Sequence, residues 1–105
     1  MDENLLNELK SKYGEVYCLS GEVEDDKTEK YYFRKPERKD LSRFTQELSK
    51  DLFKATNNLV FGCLVYPEPE VLRKKADEKP GIILPLGAEL QKIVGSGVDF
   101  LSSKL

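Results

Sequence analysis

Residues 15–34 read EVYCLSGEVEDDKTEKYYFR, and this stretch decides the fold class. Two runs rich in β-branched and aromatic residues, Val16–Leu19 and Lys30–Arg34, flank the polar residues Asp25–Thr28. Such runs favour strands and a polar interval favours a turn, so the pattern predicts an antiparallel β-hairpin that turns at Asp25–Thr28.

The second strand of this hairpin carries large side chains on both of its faces. Alternate residues of a strand share a face, which places Tyr31 with Phe33 and Tyr32 with Arg34. A two-stranded ribbon is only marginally stable alone. We therefore expect helices to cover one face of the hairpin.

The chain after the hairpin has helical spacing. Pro36 ends the second strand, and Leu41, Phe44 and Leu48 then lie on one helical stripe. The same phase allows one long helix across this half of the chain. The capping-type residues at Ser49-Lys50-Asp51 favour a break instead, with Asp51 capping the next helix.

The rest of this half predicts a buried centre and two further helices. Leu59–Val65 is apolar nearly all round, so we expect it to end a helix at the centre of the core, stopped by Tyr66–Pro69. Pro69 suits the first position of a short helix. Pro85 is tolerated only in a first turn, which starts the last helix between residues 81 and 84.

The N-terminal residues predict a short helix that packs against the body as an arm. Leu5, Leu6, Leu9 and Tyr13 form its apolar stripe, and Gly14 is a suitable stop.

Together these elements predict a single α+β domain, in which one antiparallel β-hairpin packs against four or five mostly short α-helices. The alternative is a nearly all-α bundle in which Lys30–Arg34 is only an extended lead-in. The predicted parts are an N-terminal helical arm at 1–14, the hairpin at 15–35, the helical half at 36–95 and a tail at 96–105.

Composition limits the classes of function. The chain has 105 residues, of which 39% are hydrophobic and 34% charged, and its net charge is −2. This balance suits one modest core and gives no overall attraction to nucleic acid or to an anionic membrane. The acidic start and the lack of a long apolar run predict a soluble, cytoplasmic protein without a membrane partner.

Cys18 and Cys63 lie in apolar segments, so we expect both to be buried and reduced.

The sequence offers little catalytic chemistry. It contains no histidine, which removes the usual general base and the commonest metal ligand. No nucleotide-binding or hydrolase motif is present, and the acidic cluster Glu22–Asp26 lacks the spacing of a calcium loop. We therefore predict a protein that is not an enzyme and has no catalytic, cofactor-binding or metal-binding residues.

Two sets of side chains are candidates for binding. Apolar helices could present a groove to a partner protein, and the candidate anchors are Phe53, Phe61 and Leu86. The sequence leaves open whether these are core or interface residues. The alternative is a nucleic-acid module within Lys30–Lys39, where basic residues alternate with aromatic ones; its candidate contacts are Lys30, Tyr32, Arg34, Lys35 and Arg38.

Several junctions carry a family resemblance. They are Tyr32–Pro36 with Leu41 after it, Leu64–Pro67, Lys79-Pro80-Gly81, and the helix that holds Leu86 and Leu90. In these features the chain resembles small, largely uncharacterised proteins from phage and prophage tail regions, over Lys30–Val94. The resemblance implies a tail-assembly-chaperone-like role in which the partner is a tape-measure protein or a tail subunit. It also fits self-association, because such factors hide an apolar face.

Overall fold

The computed structural model describes residues 2–105 and has an α+β fold, as predicted. The elements, in chain order, are α1 (Glu3–Tyr13), β1 (Val16–Glu24), β2 (Lys27–Arg34), α2 (Arg38–Leu48), α3 (Leu52–Cys63), β3 (Leu64–Tyr66), α4 (Pro69–Glu78), a short 3-10 helix (Pro80–Ile82) and α5 (Ile83–Ile93). The three strands form one antiparallel sheet in the order β1-β2-β3.

The predicted hairpin is present, but its turn is tighter than expected. β2 already begins at Lys27, which leaves only Asp25 and Asp26 between the strands. Asp26 has a φ of 60°, a left-handed conformation that aspartate tolerates better than most residues. Its backbone N–H donates to Glu22 Oε1 at 3.0 Å, which holds the short turn closed.

A third strand stands where the sequence predicts the end of a helix. α3 ends at Cys63, and Leu64–Tyr66 pairs with β2 through Phe33 opposite Leu64 and Tyr32 opposite Tyr66. The expectation that the helix continues through Val65 was therefore wrong. The residue before a proline avoids the helical conformation, and β2 offers an open edge for these residues to pair with.

The predicted helix boundaries are otherwise confirmed. α2 ends at Leu48, and Asp51 caps α3 by accepting a hydrogen bond from the Lys54 N–H at 3.0 Å, so the central helix is broken. Pro69 is the first residue of α4, and α5 starts at Ile83, so that Pro85 falls in its first turn.

The core lies between one face of the sheet and the helices. Its members are Tyr31, Phe33, Phe44, Ala55, Leu59, Val60, Cys63, Leu72, Ile83 and Leu90. Tyr31 and Phe33 share the covered face, as the alternation predicts, and α3 supplies the centre of the core.

The two cysteines differ in environment. Cys63 is fully buried, whereas Cys18 is exposed, so the prediction that both are buried was wrong for Cys18. Cys18 lies opposite Tyr32 on the sheet, and alternation places that pair on the face away from Tyr31 and Phe33. The core helices pack on the face that carries Tyr31 and Phe33.

α3 and α5 approach each other closely at one point. Gly87 of α5 is buried against Thr56 of α3, and a Cβ atom built on Gly87 would overlap Thr56 Cγ2. A glycine in the middle of a helix weakens that helix, so its presence here reflects the close crossing.

The two ends of the chain are less embedded. None of the described residues 3–13 of α1 is buried, although Leu5, Leu6 and Leu9 are half-buried. The stretch 98–105 adopts neither helix nor strand. The molecule measures 52 × 31 × 27 Å, and it is therefore elongated.

Candidate functional site

A partly open cleft separates the hairpin from α5. Its volume is about 270 Å³, and we call it the hairpin–α5 cleft. The hairpin contributes Leu19, Ser20, Gly21, Glu22, Val23, Glu29 and Tyr31, and the opposite wall consists of Ile82, Pro85, Leu86 and Glu89. Its lining is mainly apolar with a few polar groups, which is typical of small-ligand sites.

Tyr31 is the unusual member of this lining. Its side chain is only 3% exposed, and its buried hydroxyl has no hydrogen-bond partner within residues 2–105. Buried polar groups are nearly always hydrogen-bonded in folded proteins, so an unpaired one marks a place where function can outweigh stability. Burial, with the nearby Glu29 carboxylate, raises the pKa of Tyr31, and the phenol stays protonated at neutral pH.

The hairpin end of the cleft is fastened to α4 by Lys75. Its Nζ lies 3.2 Å from Glu24 Oε1 and 3.7 Å from Glu29 Oε1. Lys79 adds a hydrogen bond of 2.9 Å to the Val23 carbonyl oxygen. These contacts tie the end of the hairpin to α4 and to the residue that follows it.

A second cleft lies beside α3 and α4, and we call it the α3–α4 cleft. Its volume is about 420 Å³, and Phe53 and Phe61 both line it. The Arg73 guanidinium carbon lies 5.5 Å from the centre of the Phe61 ring, a cation–π distance. Leu86, the third predicted anchor, lines the hairpin–α5 cleft instead. The structure therefore divides the three residues between two clefts.

The basic residues predicted for nucleic-acid contact differ in their availability. Arg34 donates to both carboxylate oxygens of Asp40, at 2.9 and 3.2 Å, and to the Gly62 carbonyl oxygen at 3.0 Å. The hydrogen bond from Arg34 holds the pKa of Asp40 below its usual value. Most donors of Arg34 are thus used within the protein.

The other members of that set lie at the surface or on the outer sheet face. Lys30, Lys35 and Arg38 are exposed, and Lys35 Nζ is 3.6 Å from Glu15 Oε2. The Tyr32 ring packs edge-on against Tyr66, with 5.9 Å between the ring centres.

Two further kinds of site concern residues 2–105, a metal site and a membrane-spanning helix. This part of the chain contains no group of three histidine, cysteine, aspartate or glutamate side chains arranged to hold a metal ion. None of its helices is both long enough and apolar enough to cross a membrane.

Sequence reasoning missed Tyr31 as a site residue, although a signal was present. Glu29 and Tyr31 are two positions apart and therefore lie on the same face of β2. The signal is a carboxylate beside a tyrosine on the face that the helices cover. The position of α5 opposite them depends on tertiary packing and is not visible in the local pattern.

Residues 9–103 match the profile of a family described as a domain of unknown function, DUF6848. The match covers most of the chain, and the chain therefore belongs to this family. A solved structure of an uncharacterised protein, rbstp2171, from Bacillus stearothermophilus is similar, with a TM-score of 0.80 and 36% sequence identity over 93% of this chain and 99% of that one. No curated protein matches this chain.

Proposed function

We propose that this DUF6848 protein acts without catalysis, by binding an apolar segment of another protein and shielding it during assembly. The observation that supports the proposal is a set of large apolar side chains that the fold leaves uncovered. Phe53 is 44% exposed, and Phe100 and Leu101 are 90% and 98% exposed. Phe53 and the half-buried Phe61 line the same cleft, and apolar side chains that gather in one place mark surfaces for other proteins.

The α3–α4 cleft is the proposed receiving surface. Phe53 and Phe61 supply apolar walls, while Arg73 and Asp77 supply polar groups that can bind a peptide backbone or its side chains. The partner that fits is an extended segment with aromatic or aliphatic anchors. The resemblance to phage tail-region proteins suggests a tape-measure protein or a tail subunit as this partner.

The C-terminal tail is itself a segment of this kind. Val98, Phe100 and Leu101 are exposed in a stretch without helix or strand, and Asp99 beside them complements Arg73. Without a partner protein, the tail of a second copy can occupy the α3–α4 cleft. We therefore propose reversible self-association that competes with partner binding.

The nucleic-acid alternative gains no support from the geometry. Arg34 is committed to Asp40 and Gly62, and Lys35 lies beside Glu15. What remains is a short row of exposed lysine and arginine side chains, which is common on protein surfaces.

The test compares Phe53→Ser with Leu84→Ser. Both side chains are exposed to a similar extent, 44% and 42%, but Leu84 does not line the α3–α4 cleft. We expect the wild-type chain and Leu84→Ser to suppress the light scattering of a client protein diluted from denaturant, and Phe53→Ser to suppress it poorly. Equal suppression by both variants, or none by the wild-type chain, would refute the proposal.

A further inference from the structure

The hairpin–α5 cleft has a mainly apolar lining, and one of its lining residues, Tyr31, carries a hydroxyl that is buried beneath the cleft surface and has no hydrogen-bond partner within residues 2–105. Leu19, Ile82 and Leu86 form apolar surface, and the Tyr31 side chain completes the wall between them. The Tyr31 hydroxyl can both donate and accept a hydrogen bond, and it does neither within the described part of the chain. A ligand that reaches this hydroxyl satisfies a group that the fold leaves unsatisfied.

The charged side chains that line the cleft indicate which charge such a ligand carries. Glu22, Glu29 and Glu89 line the cleft, and no lysine or arginine is among its described lining residues. The negative charges of Glu29 and Glu89 are partly offset by lysines. Lys75 Nζ lies 3.7 Å from Glu29 Oε1, and Lys92 Nζ lies 3.0 Å from Glu89 Oε1. Glu22 forms no salt bridge within residues 2–105, although its Oε1 atom accepts the Asp26 N–H at 3.0 Å.

We propose that the hairpin–α5 cleft binds a small primary alkylammonium ion, with its hydrocarbon chain against Leu19 and Leu86 and its ammonium group shared by the Tyr31 hydroxyl and the cleft carboxylates. An ammonium group brings three donors and no acceptor, which suits a hydroxyl oxygen beside carboxylates. The cleft volume of about 270 Å³ lies just below the usual range of ligand sites and suits a small ligand. This site is separate from the α3–α4 cleft and does not depend on partner binding.

Entry of the ligand requires a small local movement. The Tyr31 hydroxyl has almost no exposed surface, so a side chain in front of it must shift before an ammonium group can reach it. The Glu89 side chain is 52% exposed and can change rotamer freely, whereas Leu86 is half-buried at the edge of the core and its rotamer change is a local rearrangement of that edge.

The experiment titrates the full chain with hexylammonium chloride, and with hexanol and sodium hexanoate as neutral and anionic probes of equal chain length. Backbone amide shifts in nuclear magnetic resonance spectra report the binding. We expect hexylammonium to bind most tightly and to shift residues 19–23, 29–31 and 82–89. The same residues should respond only weakly to hexanol and not to hexanoate.

Two variants separate the ammonium contacts from the apolar ones. Tyr31→Phe keeps the ring and removes the hydroxyl, and it should weaken hexylammonium binding about fivefold, as expected for one hydrogen bond. Tyr17→Phe is the matched control, because the Tyr17 hydroxyl donates to Glu15 at the surface. The double variant Glu22→Gln with Glu89→Gln should weaken hexylammonium binding and leave hexanol binding unchanged.

The proposal fails on any of three results. Hexanoate could bind as well as hexylammonium, Tyr31→Phe could bind hexylammonium with unchanged affinity, or millimolar hexylammonium could leave the cleft amides unshifted. Because Tyr31→Phe removes an unsatisfied hydroxyl, it should fold at least as stably as the wild-type chain. Weakened binding by that variant therefore cannot be attributed to misfolding.

Discussion

Arg34 connects three parts of the molecule through one guanidinium group. It stands at the end of β2, it binds Asp40 in the first turn of α2, and it donates to the Gly62 carbonyl oxygen in the last turn of α3. The Arg34 and Asp40 side chains are only 18% and 17% exposed, so the pair is more than a surface ion pair. Asp40 also accepts the Glu37 N–H at 2.7 Å and so completes the cap of α2.

Replacement of Arg34 should therefore destabilise the fold. Arg34→Met leaves Asp40 and the Gly62 carbonyl without their partner, and we expect the free energy of unfolding to fall by about 3 kcal/mol. Arg38→Met is the control, because Arg38 is exposed, and it should change stability by less than about 0.5 kcal/mol. Urea unfolding measures both, and equal effects would show that the Arg34 pair contributes little.

The same pair predicts a pH dependence. The hydrogen bond from Arg34 lowers the pKa of Asp40 from its ordinary value of 3.8, so the folded state binds the proton less readily than the unfolded state. The stabilisation is complete above that ordinary value and is lost as the pH falls through the lower, folded-state pKa. Urea unfolding from about pH 6 to about pH 3 should show stability falling at the acid end. Asp40→Asn should flatten that decline, and an unchanged slope would contradict the assignment.

At the scale of elements, the crossing of α3 and α5 leaves no space for a side chain at Gly87. Gly87 and Thr56 meet there, and the Thr56 hydroxyl is turned away to the Leu52 carbonyl oxygen at 2.8 Å. The methyl group of Thr56 is therefore the part that faces Gly87. No room exists at this point of the described interface for a methyl group on each helix.

This geometry predicts a specific rescue. Gly87→Ala should destabilise the protein by about 2 kcal/mol because the added methyl group overpacks the crossing. Thr56→Ser removes the opposing methyl group, keeps the hydroxyl, and should recover most of the loss when combined with Gly87→Ala. A double-mutant cycle from thermal or urea unfolding measures the coupling. Additive effects of the two changes would contradict the predicted contact.

The elements also show what the sequence could predict. The hairpin depends on alternation, the break at Asp51 on capping and the start of α5 on the position of Pro85, and these signals are local. β3 was missed because three residues form a strand only when the edge of β2 lies beside them. The exposure of Cys18 and the unpaired Tyr31 hydroxyl depend on which face the helices cover and on where α5 lies, and both are consequences of tertiary packing.

At the scale of the whole molecule, the described chain consists of a packed body with loosely held ends. The core draws on β2, α2, α3, α4 and α5, whereas residues 98–105 are exposed throughout. The tail should therefore contribute to association and not to folding.

Removal of residues 98–105 tests whether the tail contributes to association and not to folding. The free energy of unfolding should change by less than about 0.5 kcal/mol, because no buried side chain is lost. Self-association at high concentration should decrease, because the apolar anchors Phe100 and Leu101 are gone. Urea unfolding and sedimentation velocity measure the two effects. A large loss of stability would mean that the tail packs against its own body in solution.

Because one cysteine is exposed and the other is buried, alkylation of the two thiols can measure how the protein unfolds. The Cys18 thiol stands on the outer face of the sheet, where an alkylating reagent can reach it in the native state. Burial raises the pKa of the Cys63 thiol to about 11, so at neutral pH that thiol is both enclosed and almost entirely protonated. Mass spectrometry should show one rapid addition followed by a second, slow one. The rate of the second addition then measures how often the core opens, without denaturant and without an attached probe.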